Sequence, residues 1–374
     1  MIMKMKIMTH FCNCAVLALL SLAACTEIPG DKSKPEWKES ASGVWEISVG
    51  KPEKLNLLSE LGLHPKWDAI NAMPKADLPV DRDEIRFEEV DGKTYIRFPL
   101  DKGEKIFGLG LNFKTVEQRG RILELHVDHY GGKDNGRTHA PVPFFVSSKG
   151  YGAFINSARY IKAYVGTGVR KDTKNPPEVQ DRNTDPGWSA QPYSDNLEFL
   201  VPAEGVEGVL FAGQDMQDVV RRFNLFNGGG VLPPKWGLGF WHRVPTLFTD
   251  RQVQDEIAEF RKRGFPLTVI GLEPGWMSRA YPCTYEWDAT RFPEPGKFVN
   301  DLLQKHIRTN LWFNPGVSPE CEIRDAIEPY TASHTEWNGL IPDYRMPEAR
   351  RIMLDHFKKH QLDMGRRSHP SYTR

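Results

Sequence analysis

The sequence predicts two structural classes in one chain: an all-β N-terminal sandwich followed by an α/β segment that forms an incomplete (β/α)8 TIM barrel. Residues 41–230 contain short alternating apolar runs separated by turn formers such as Asp91-Gly92, a spacing typical of a β-sandwich. Residues 231–374 alternate apolar runs with amphipathic helical runs, as parallel βα units do. This change of pattern predicts a domain boundary near residue 230.

Residues 1–25 are predicted to be a lipoprotein signal peptide. Lys4 and Lys6 precede a short apolar segment that ends in Leu22-Ala23-Ala24-Cys25, and this order is typical of an export signal. The apolar run is too short to span a bilayer. The tetrad resembles a bacterial lipobox, which implies that Cys25 is acylated. The alternative is a plain secretory signal with an incidental cysteine.

The segment that follows the signal is polar and contains proline, and residues 26–40 are therefore predicted to be a tether. The expected localisation is exported, in the bacterial periplasm or at the cell surface, with the protein lipid-anchored to the membrane through Cys25.

The composition excludes some partners and leaves others open. Basic and acidic residues are balanced at 49 each, so the charge gives no indication of nucleic-acid binding. Aromatic residues make up 11% of the chain, which fits sugar binding and fits an ordinary core equally well.

The cysteines and histidines do not predict a metal site. Without Cys25, two cysteines of the mature chain remain, Cys283 and Cys321, and a disulfide between them stays open. The sequence has no CxxC or HExxH motif, which argues against zinc. His126 and His129 would point to opposite faces of a strand. A metal site is therefore not expected from these residues.

Each element of the second half has its own signal. A helix at 213–227 ends at three glycines, 228–230, that are suited to a hinge. Apolar stripes predict further helices at 250–263, 296–306 and 347–360. Strands are predicted around Trp241, at 266–273 and at 311–313. Residues 166–195, in the first half, are polar and rich in proline and are expected to form a long loop.

The carboxyl ends of parallel barrel strands form the active face of such barrels. The aromatic and polar residues at these ends are the substrate-binding candidates: Trp241, Glu273, Trp276, Trp312 and Asn314. Each tryptophan is interpreted either as a stacking surface for a ligand or as core packing, and Glu273 either as a contact to ligand hydroxyls or as one partner of an ion pair. Asp288 is expected to cap a turn.

Several motifs, in order, resemble glycoside hydrolase family 31. FGLGLNFKTVEQRG (107–120) and PVPFFVSSKGYGAFINS (141–157) resemble the family's N-terminal sandwich. LPPKWGLGFWHR (232–243) and FPLTVIGLEPGW (265–276), followed by EWDATRFPEPGKFVNDL, resemble the start of its catalytic barrel. The resemblance implies a retaining glycosidase that uses two carboxyl groups on α-glucosides, α-xylosides or α-galactosides. It also implies an oligosaccharide or glycoside as substrate, and a reaction that needs no metal and no organic cofactor.

The resemblance matches some site residues and leaves others unmatched. Glu273 matches an acidic region that contacts sugar hydroxyls in the family, although Glu-Pro-Gly-Trp stands where many members have Asp-x-Asp and an aromatic residue. No position matches the nucleophile or the acid/base, and Asp363 precedes the expected strand. Residues 233–374 number 142, whereas a closed barrel takes about 250.

The chain is therefore expected to be truncated within the barrel and inactive by itself. The alternatives are a non-enzymatic glycan-binding module and a non-functional gene fragment.

Overall fold

The computed structural model describes residues 34–62, 64–127, 136–138, 140–169, 171, 177–190 and 193–363. The predicted signal peptide, Cys25, the first part of the predicted tether and His129 lie outside these residues. The chain divides into two compact units, Met1–Gly230 and Val231–Arg374. Across the described ranges, no helix has both the length and the apolar character needed to cross a membrane.

The first unit is built from two six-stranded sheets. The strands of the first sheet, in the order β1-β2-β12-β9-β8-β5, are β1 Glu36–Ala41, β2 Val44–Gly50, β5 Ile106–Gly108, β8 Phe144–Ser147, β9 Tyr151–Asn156 and β12 Gly205–Ala212. Those of the second, in the order β3-β4-β11-β10-β6-β7, are β3 Arg86–Val90, β4 Lys93–Pro99, β6 Arg121–Val127, β7 Arg137–Thr138, β10 Ile161–Thr167 and β11 Tyr193–Val201. Every named pair is antiparallel except β6 with β7.

The two sheets share one hydrophobic core. Phe98 of the second sheet packs edge-to-face on Phe145 of the first, with ring centroids 5.1 Å apart. The outer face of the first sheet has a core of its own beneath a helix, where Phe223 stacks on Phe144 at 3.8 Å. The sandwich that the alternating pattern predicted is confirmed, because apolar side chains at every second position fill both faces of the first sheet.

One boundary in this unit differs from the prediction. The tether was expected to reach residue 40, but Glu36–Ala41 forms β1 and pairs with β2. The strand reads EWKESA and is largely exposed. Charged side chains on an edge strand protect it from pairing with other chains, and they also remove the apolar alternation by which a strand is recognised.

The helices within the described residues differ in length. They are α1 Leu57–Leu61, α2 Trp67–Asn71, α3 Met216–Phe226, α4 Asp250–Lys262, α5 Pro295–Gln304, α6 Arg324–Ile327 and α7 Pro347–Phe357. A capping box begins α4, in which the Thr249 hydroxyl accepts from the backbone N–H of Gln252 at 3.3 Å. A π-helical turn, Lys358–Leu362, extends α7, so the helix predicted to 360 ends as an α-helix at Phe357.

The second unit contains a three-stranded parallel sheet in the order β13-β14-β15. The strands are β13 Phe240–Arg243, β14 Leu267–Leu272 and β15 Arg308–Leu311. Ile270 and Leu272 of the central strand are buried with Val253 and Ile257 of α4, as in the first βα units of a barrel. The third strand starts earlier than predicted, because the polar residues at 308–310 pair with β14 although they have no apolar pattern.

Candidate functional site at the carboxyl ends of the parallel strands

The predicted site residues lie just after the three parallel strands. β13 ends at Arg243, and β14 is followed by Glu273 and a short helical turn, Pro274–Trp276. The backbone N–H of Trp312 donates to the carbonyl of Leu272 at 3.0 Å, which holds the end of β15 beside the end of β14. Parallel strands therefore place these residues along one edge of the sheet.

Arg243 and Glu273 form a two-pronged ion pair across the strand ends. The Nε atom of Arg243 donates to Oε1 of Glu273 at 2.6 Å, and Nη2 of Arg243 donates to Oε2. The bond to Glu273 raises the pKa of the Arg243 guanidinium. The Glu273 side chain is mostly buried and that of Arg243 is mostly exposed. The carboxylate is thus held in one orientation while the guanidinium stays accessible.

The turn after Glu273 depends on a glycine. A Cβ atom at Gly275 would lie 2.0 Å from the backbone carbonyl oxygen of Thr246, which is far inside van der Waals contact. The Glu-Pro-Gly-Trp sequence therefore lets this turn lie directly against the segment that follows β13. The close approach fixes Glu273 relative to Arg243.

Trp276 occupies the core, which is one of its two predicted interpretations. Its side chain is 1% exposed and packs edge-to-face on Trp287, with centroids 5.0 Å apart. Its indole N–H donates to the carbonyl of Trp312 at 2.7 Å. The ring faces are covered by protein, so Trp276 supports the strand ends and offers no stacking surface to a ligand.

An accessible aromatic cluster lies at the same edge and consists of Tyr281, Trp312 and Trp337. Tyr281 lies 5.3 Å from Trp312 and 5.5 Å from Trp337 between ring centroids. Tyr281 is 58% exposed and Trp337 is 39% exposed. Three aromatic side chains with accessible surface form the kind of apolar patch on which the C–H face of a sugar ring packs.

The charge of Glu273 acts on this aromatic cluster. Desolvation raises the pKa of the Tyr281 phenol, and the Cys283 sulfur and the Glu273 carboxylate raise it further. The Tyr281 hydroxyl therefore stays protonated and able to donate a hydrogen bond at neutral pH. The backbone of Trp312 bonds the carbonyl of Leu272, the residue before Glu273, which places the ion pair and the aromatic cluster at one edge of the sheet.

Two further predicted residues have different roles. Trp241 is about half exposed, and its indole N–H donates to the carbonyl of Gly237 at 3.2 Å, so its ring retains accessible surface. Asn314 is buried; its Oδ1 accepts from the N–H of Gly316 at 2.9 Å, and its carbonyl accepts from the Tyr285 hydroxyl. Its side chain shapes the Asn-Pro-Gly turn and is not directed to a ligand.

Asp288 caps a turn, as its place in the sequence indicates. Its Oδ1 accepts from the backbone N–H groups of Thr290 and Arg291, both at 2.9 Å, and its Oδ2 accepts from the Arg291 side chain. All of these contacts are local, so Asp288 holds the loop between Trp276 and α5.

The thiols of the second unit are free. Cys283 and Cys321 are both buried. The Cys283 thiol donates to the carbonyl of Ala280 at 3.2 Å, and the Cys321 thiol donates to the carbonyl of Thr284 at 3.2 Å. Burial raises the pKa of Cys283 to about 11 and that of Cys321 to about 12. Both cysteines are therefore protonated thiols, each bonded to a backbone carbonyl. The disulfide between Cys283 and Cys321 that the sequence allowed is not formed.

Sequence reasoning missed three members of this site. Arg243 is the last residue of its strand, and the rule that placed Trp241 there applies to Arg243 as well. Tyr281 and Trp337 lie in loops, in Tyr-Pro and Trp-Asn-Gly segments. Such segments indicate turns, but they do not show which strand end the turns approach.

The two halves of the chain match two family models. Residues 230–369 match the glycosyl hydrolases family 31 TIM-barrel domain, and residues 31–162 match the glycosyl hydrolase 31 N-terminal galactose mutarotase-like domain.

Curated relatives include an α-xylosidase of Emericella nidulans, 26% identical over 75% of this chain and 34% of its own length. Another is α-xylosidase XylQ of Lactiplantibacillus pentosus, 24% identical over 62% of this chain and 27% of its own length. The chain thus spans between about a quarter and a third of these relatives.

Solved structures show the same fold. The GH31 dextranase FjDex31A of Flavobacterium johnsoniae, complexed with glucose, superposes with a TM-score of 0.66 at 18% identity, over 90% of this chain and 44% of the dextranase chain. A GH31 α-xylosidase from a soil metagenome, complexed with xylose, gives a TM-score of 0.61 at 15% identity, over 90% and 54% of the two chains.

Proposed function

Because the chain belongs to glycoside hydrolase family 31, we propose that the ends of its three parallel strands bind one sugar unit of an α-glycoside. The observation that carries this proposal is the accessible aromatic cluster associated with an ordered carboxylate–guanidinium pair. The cluster offers an apolar surface, and Glu273 with Arg243 offers a hydrogen-bond acceptor and donors. Ligand sites combine apolar and aromatic surface with a few placed polar groups in this way.

In the proposed mode of binding, Tyr281 packs on the C–H face of the ring, flanked by Trp312 and Trp337. Glu273 accepts from a sugar hydroxyl, and the exposed guanidinium of Arg243 donates to a neighbouring one. Because Glu273 already has an orientation fixed by Arg243, less conformational entropy is lost on binding than for a mobile side chain. The fixed carboxylate then selects sugars by the position of their hydroxyls.

We propose that the chain binds a sugar unit but does not hydrolyse glycosides by itself. Retaining hydrolysis uses two carboxyl groups about 5–5.5 Å apart, one as nucleophile and the other as acid and base. Both oxygens of Glu273 accept from Arg243, which suits a ligand-orienting carboxylate and not a nucleophile. Aryl α-glucosides, α-xylosides and α-galactosides incubated with the full chain should release no phenol above background, and steady turnover would contradict this proposal.

Binding itself is tested by titrating the full chain with xylose, glucose and isomaltotriose. The response is followed by calorimetry and by tryptophan fluorescence. Millimolar affinity for at least one of them is expected, with a change in emission from Trp312 and Trp337. Tyr281→Ala should weaken binding about five- to twelvefold, because stacking on an aromatic ring contributes about 1–1.5 kcal/mol.

Tyr160→Ala is the matched control, since Tyr160 is also exposed but lies in the sandwich unit. The control should bind as the unchanged chain does. Equal losses in both variants, or no response to any of the three sugars, would refute the proposed site and favour a fragment without function.

For the N-terminus, we propose that the chain is exported and acylated at Cys25. The support is the order of its segments: basic residues, then a short apolar run, then Leu-Ala-Ala-Cys. Bacterial cells expressing the chain and fed a labelled fatty acid should incorporate the label into the protein. Cys25→Ser should abolish the label, and Cys283→Ser should retain it. Label that persists in Cys25→Ser would contradict acylation at this residue.

A further inference from the structure

A second polar cluster in the barrel unit has no role in the strand-end site. It contains Glu286, Glu322, His356 and His360. Each residue offers one nitrogen or oxygen ligand atom, and these atoms all lie within 4.8 Å of one another. Two imidazoles and two carboxylates from separate segments of the chain thus converge on one point.

The end of α7 brings the two histidines together. His356 lies in the last turn of the α-helix, and His360 lies in the π-helical turn Lys358–Leu362 that continues it. Their ring centroids are 4.5 Å apart. A π-helical turn is rare and is frequently found at functional positions, and here it turns His360 toward the carboxylates.

The bonding of His356 is incomplete without a cation beside it. Its ring is fully buried, with Nε2 at 3.0 Å from the carbonyl oxygen of Thr284. A carbonyl only accepts, so Nε2 carries the hydrogen. In the neutral ring, Nδ1 then presents a lone pair to Oε1 of Glu322 at 3.0 Å. Two acceptors at this distance require a positive particle between them, either a proton or a metal ion.

The Nε2–H bond to a backbone carbonyl is also the arrangement that metal-binding histidines use. Such histidines donate their second ring N–H to a carbonyl or a carboxylate, which fixes the tautomer and the orientation of the ring. The carboxylates have similar support, because the backbone N–H of Glu322 donates to Oε1 of Glu286 at 3.3 Å. The Thr284 carbonyl outside the cluster thus orients His356, and the backbone of Glu322 orients the Glu286 carboxylate.

We propose that His356 Nδ1, His360 Nε2 and one carboxylate oxygen each of Glu322 and Glu286 bind a divalent transition-metal ion, of which Zn²⁺ fits best. Two nitrogen and two oxygen ligands suit four-coordinate zinc. Bonds of about 2.0–2.1 Å place tetrahedral ligand atoms about 3.4 Å apart. Two of the distances fall below this value, 3.0 Å from His356 and 2.9 Å from His360 to Oε1 of Glu322, and all the ligand atoms lie within 4.8 Å of one another, so side-chain rotations are needed to form the tetrahedron.

Lys359 competes with the metal. Its Nζ atom donates to both oxygens of Glu322, at 2.9 and 2.7 Å, and so occupies the carboxylate with a positive charge. The side chain is 56% exposed on a flexible stem, and it can turn into solvent when a doubly charged ion enters. The proposal therefore predicts that removal of the Lys359 charge strengthens metal binding.

The metal would act as a clamp in the barrel unit. It would join the end of α7 to the loop that carries Glu286 and to the segment that carries Glu322. Four protein ligands leave no open position, which is the arrangement of structural zinc sites. The indole N–H of Trp287 donates to the carbonyl of His360 at 2.8 Å, so the fluorescence of Trp287 reports on the clamp.

The test uses the full chain stripped with a chelator and titrated with ZnCl2 alone. Calorimetry should show one site with micromolar or tighter affinity, and the melting temperature should rise with zinc concentration. Co²⁺ at the same site should give the visible absorption of a four-coordinate ion. His360→Ala should lower the affinity at least tenfold, and Lys359→Met should raise it about threefold or more.

His334→Ala is the matched control, because it removes an exposed histidine outside the cluster and should leave zinc affinity unchanged. Since His360→Ala could disturb folding, Glu286→Gln provides a second ligand variant that keeps the shape of the side chain and should also weaken binding. Absence of heat on titration, or equal affinity in all variants, would assign the position between His356 and Glu322 to a proton and overturn the proposal.

Discussion

Arg243 and Glu273 lie at the ends of neighbouring parallel strands and meet through two parallel hydrogen bonds. The pair joins a mostly exposed guanidinium to a mostly buried carboxylate. Exposed ion pairs contribute little to stability, about 0–1 kcal/mol. The effect of this pair should therefore be seen in the order of Glu273, and not in the stability of the fold.

The substitution Arg243→Lys is expected to change the orientation of Glu273 without changing the stability of the fold. Lysine keeps the charge but offers no planar fork, so Glu273 loses its fixed orientation. Sugar affinity should fall about threefold or more, while the free energy of unfolding changes by less than about 0.5 kcal/mol. Arg263→Lys is the control, because Arg263 also bonds a glutamate, Glu259, on the surface of α4. An unchanged sugar affinity in Arg243→Lys would contradict the orienting role.

Trp276 should behave as a core residue. Trp276→Phe removes the indole N–H and leaves the carbonyl of Trp312 without this donor, which costs about 1–3 kcal/mol in the free energy of unfolding. Trp337→Phe, at an accessible position, should cost less than about 0.5 kcal/mol. Denaturant unfolding of both variants measures the difference. Equal costs would show that Trp276 is less tightly packed than its burial indicates.

Gly275→Ala should displace the turn that carries Glu273, because its new methyl group would overlap the carbonyl of Thr246. Overpacking of this kind costs about 1–3 kcal/mol, and the displaced carboxylate should also weaken sugar binding. Gly237→Ala is the matched control, since a Cβ there meets only ordinary contacts at 3.7 Å and beyond. Thermal unfolding and sugar titration of the two variants check the prediction, which fails if Gly275→Ala melts and binds like Gly237→Ala.

The two buried thiols should resist alkylation in the folded chain. The reactive form is the thiolate, and a pKa of about 11 for Cys283 leaves about 0.1% thiolate at pH 8, against about a quarter for a free cysteine. Because both pKa values are raised, reactivity should increase as the pH rises toward 11. Iodoacetamide labelling read by peptide mass should find Cys283 and Cys321 unmodified at pH 8 and labelled in denaturant. Rapid labelling of either residue in the native chain would contradict its burial.

Much of the fold follows from local patterns in the sequence. The strands around Val49, Phe98 and Phe154 alternate apolar and polar residues or form apolar runs. Both patterns predict a strand from the sequence alone. The strand Glu36–Ala41 does not, because its position is set by pairing with β2 and not by burial. The start of β15 at Arg308 was missed for the same reason.

The site was predictable only in part. Glu273 and Trp312 were identified because the carboxyl ends of parallel strands are a general location for ligands. Whether a tryptophan at such an end is exposed depends on packing from distant segments, which distinguishes the buried Trp276 from the half-exposed Trp241. The cluster of Glu286, Glu322, His356 and His360 has only a partial sequence signal. His356 and His360 stand four residues apart on a predicted helix, a spacing that metal ligands use, but the two carboxylates join them only through the fold.

The order of strands in the first sheet determines when β2 can pair with β12 during synthesis of the chain. Gly50 pairs with Gly205, and Val44 with Phe211, so β2 waits for a partner that the ribosome adds roughly 150 residues later. At about 5–20 residues per second this takes about 8–30 s. One of the first strands to be synthesised is thus among the last to be paired on its inner side, and during that interval its partner in the sheet is β1.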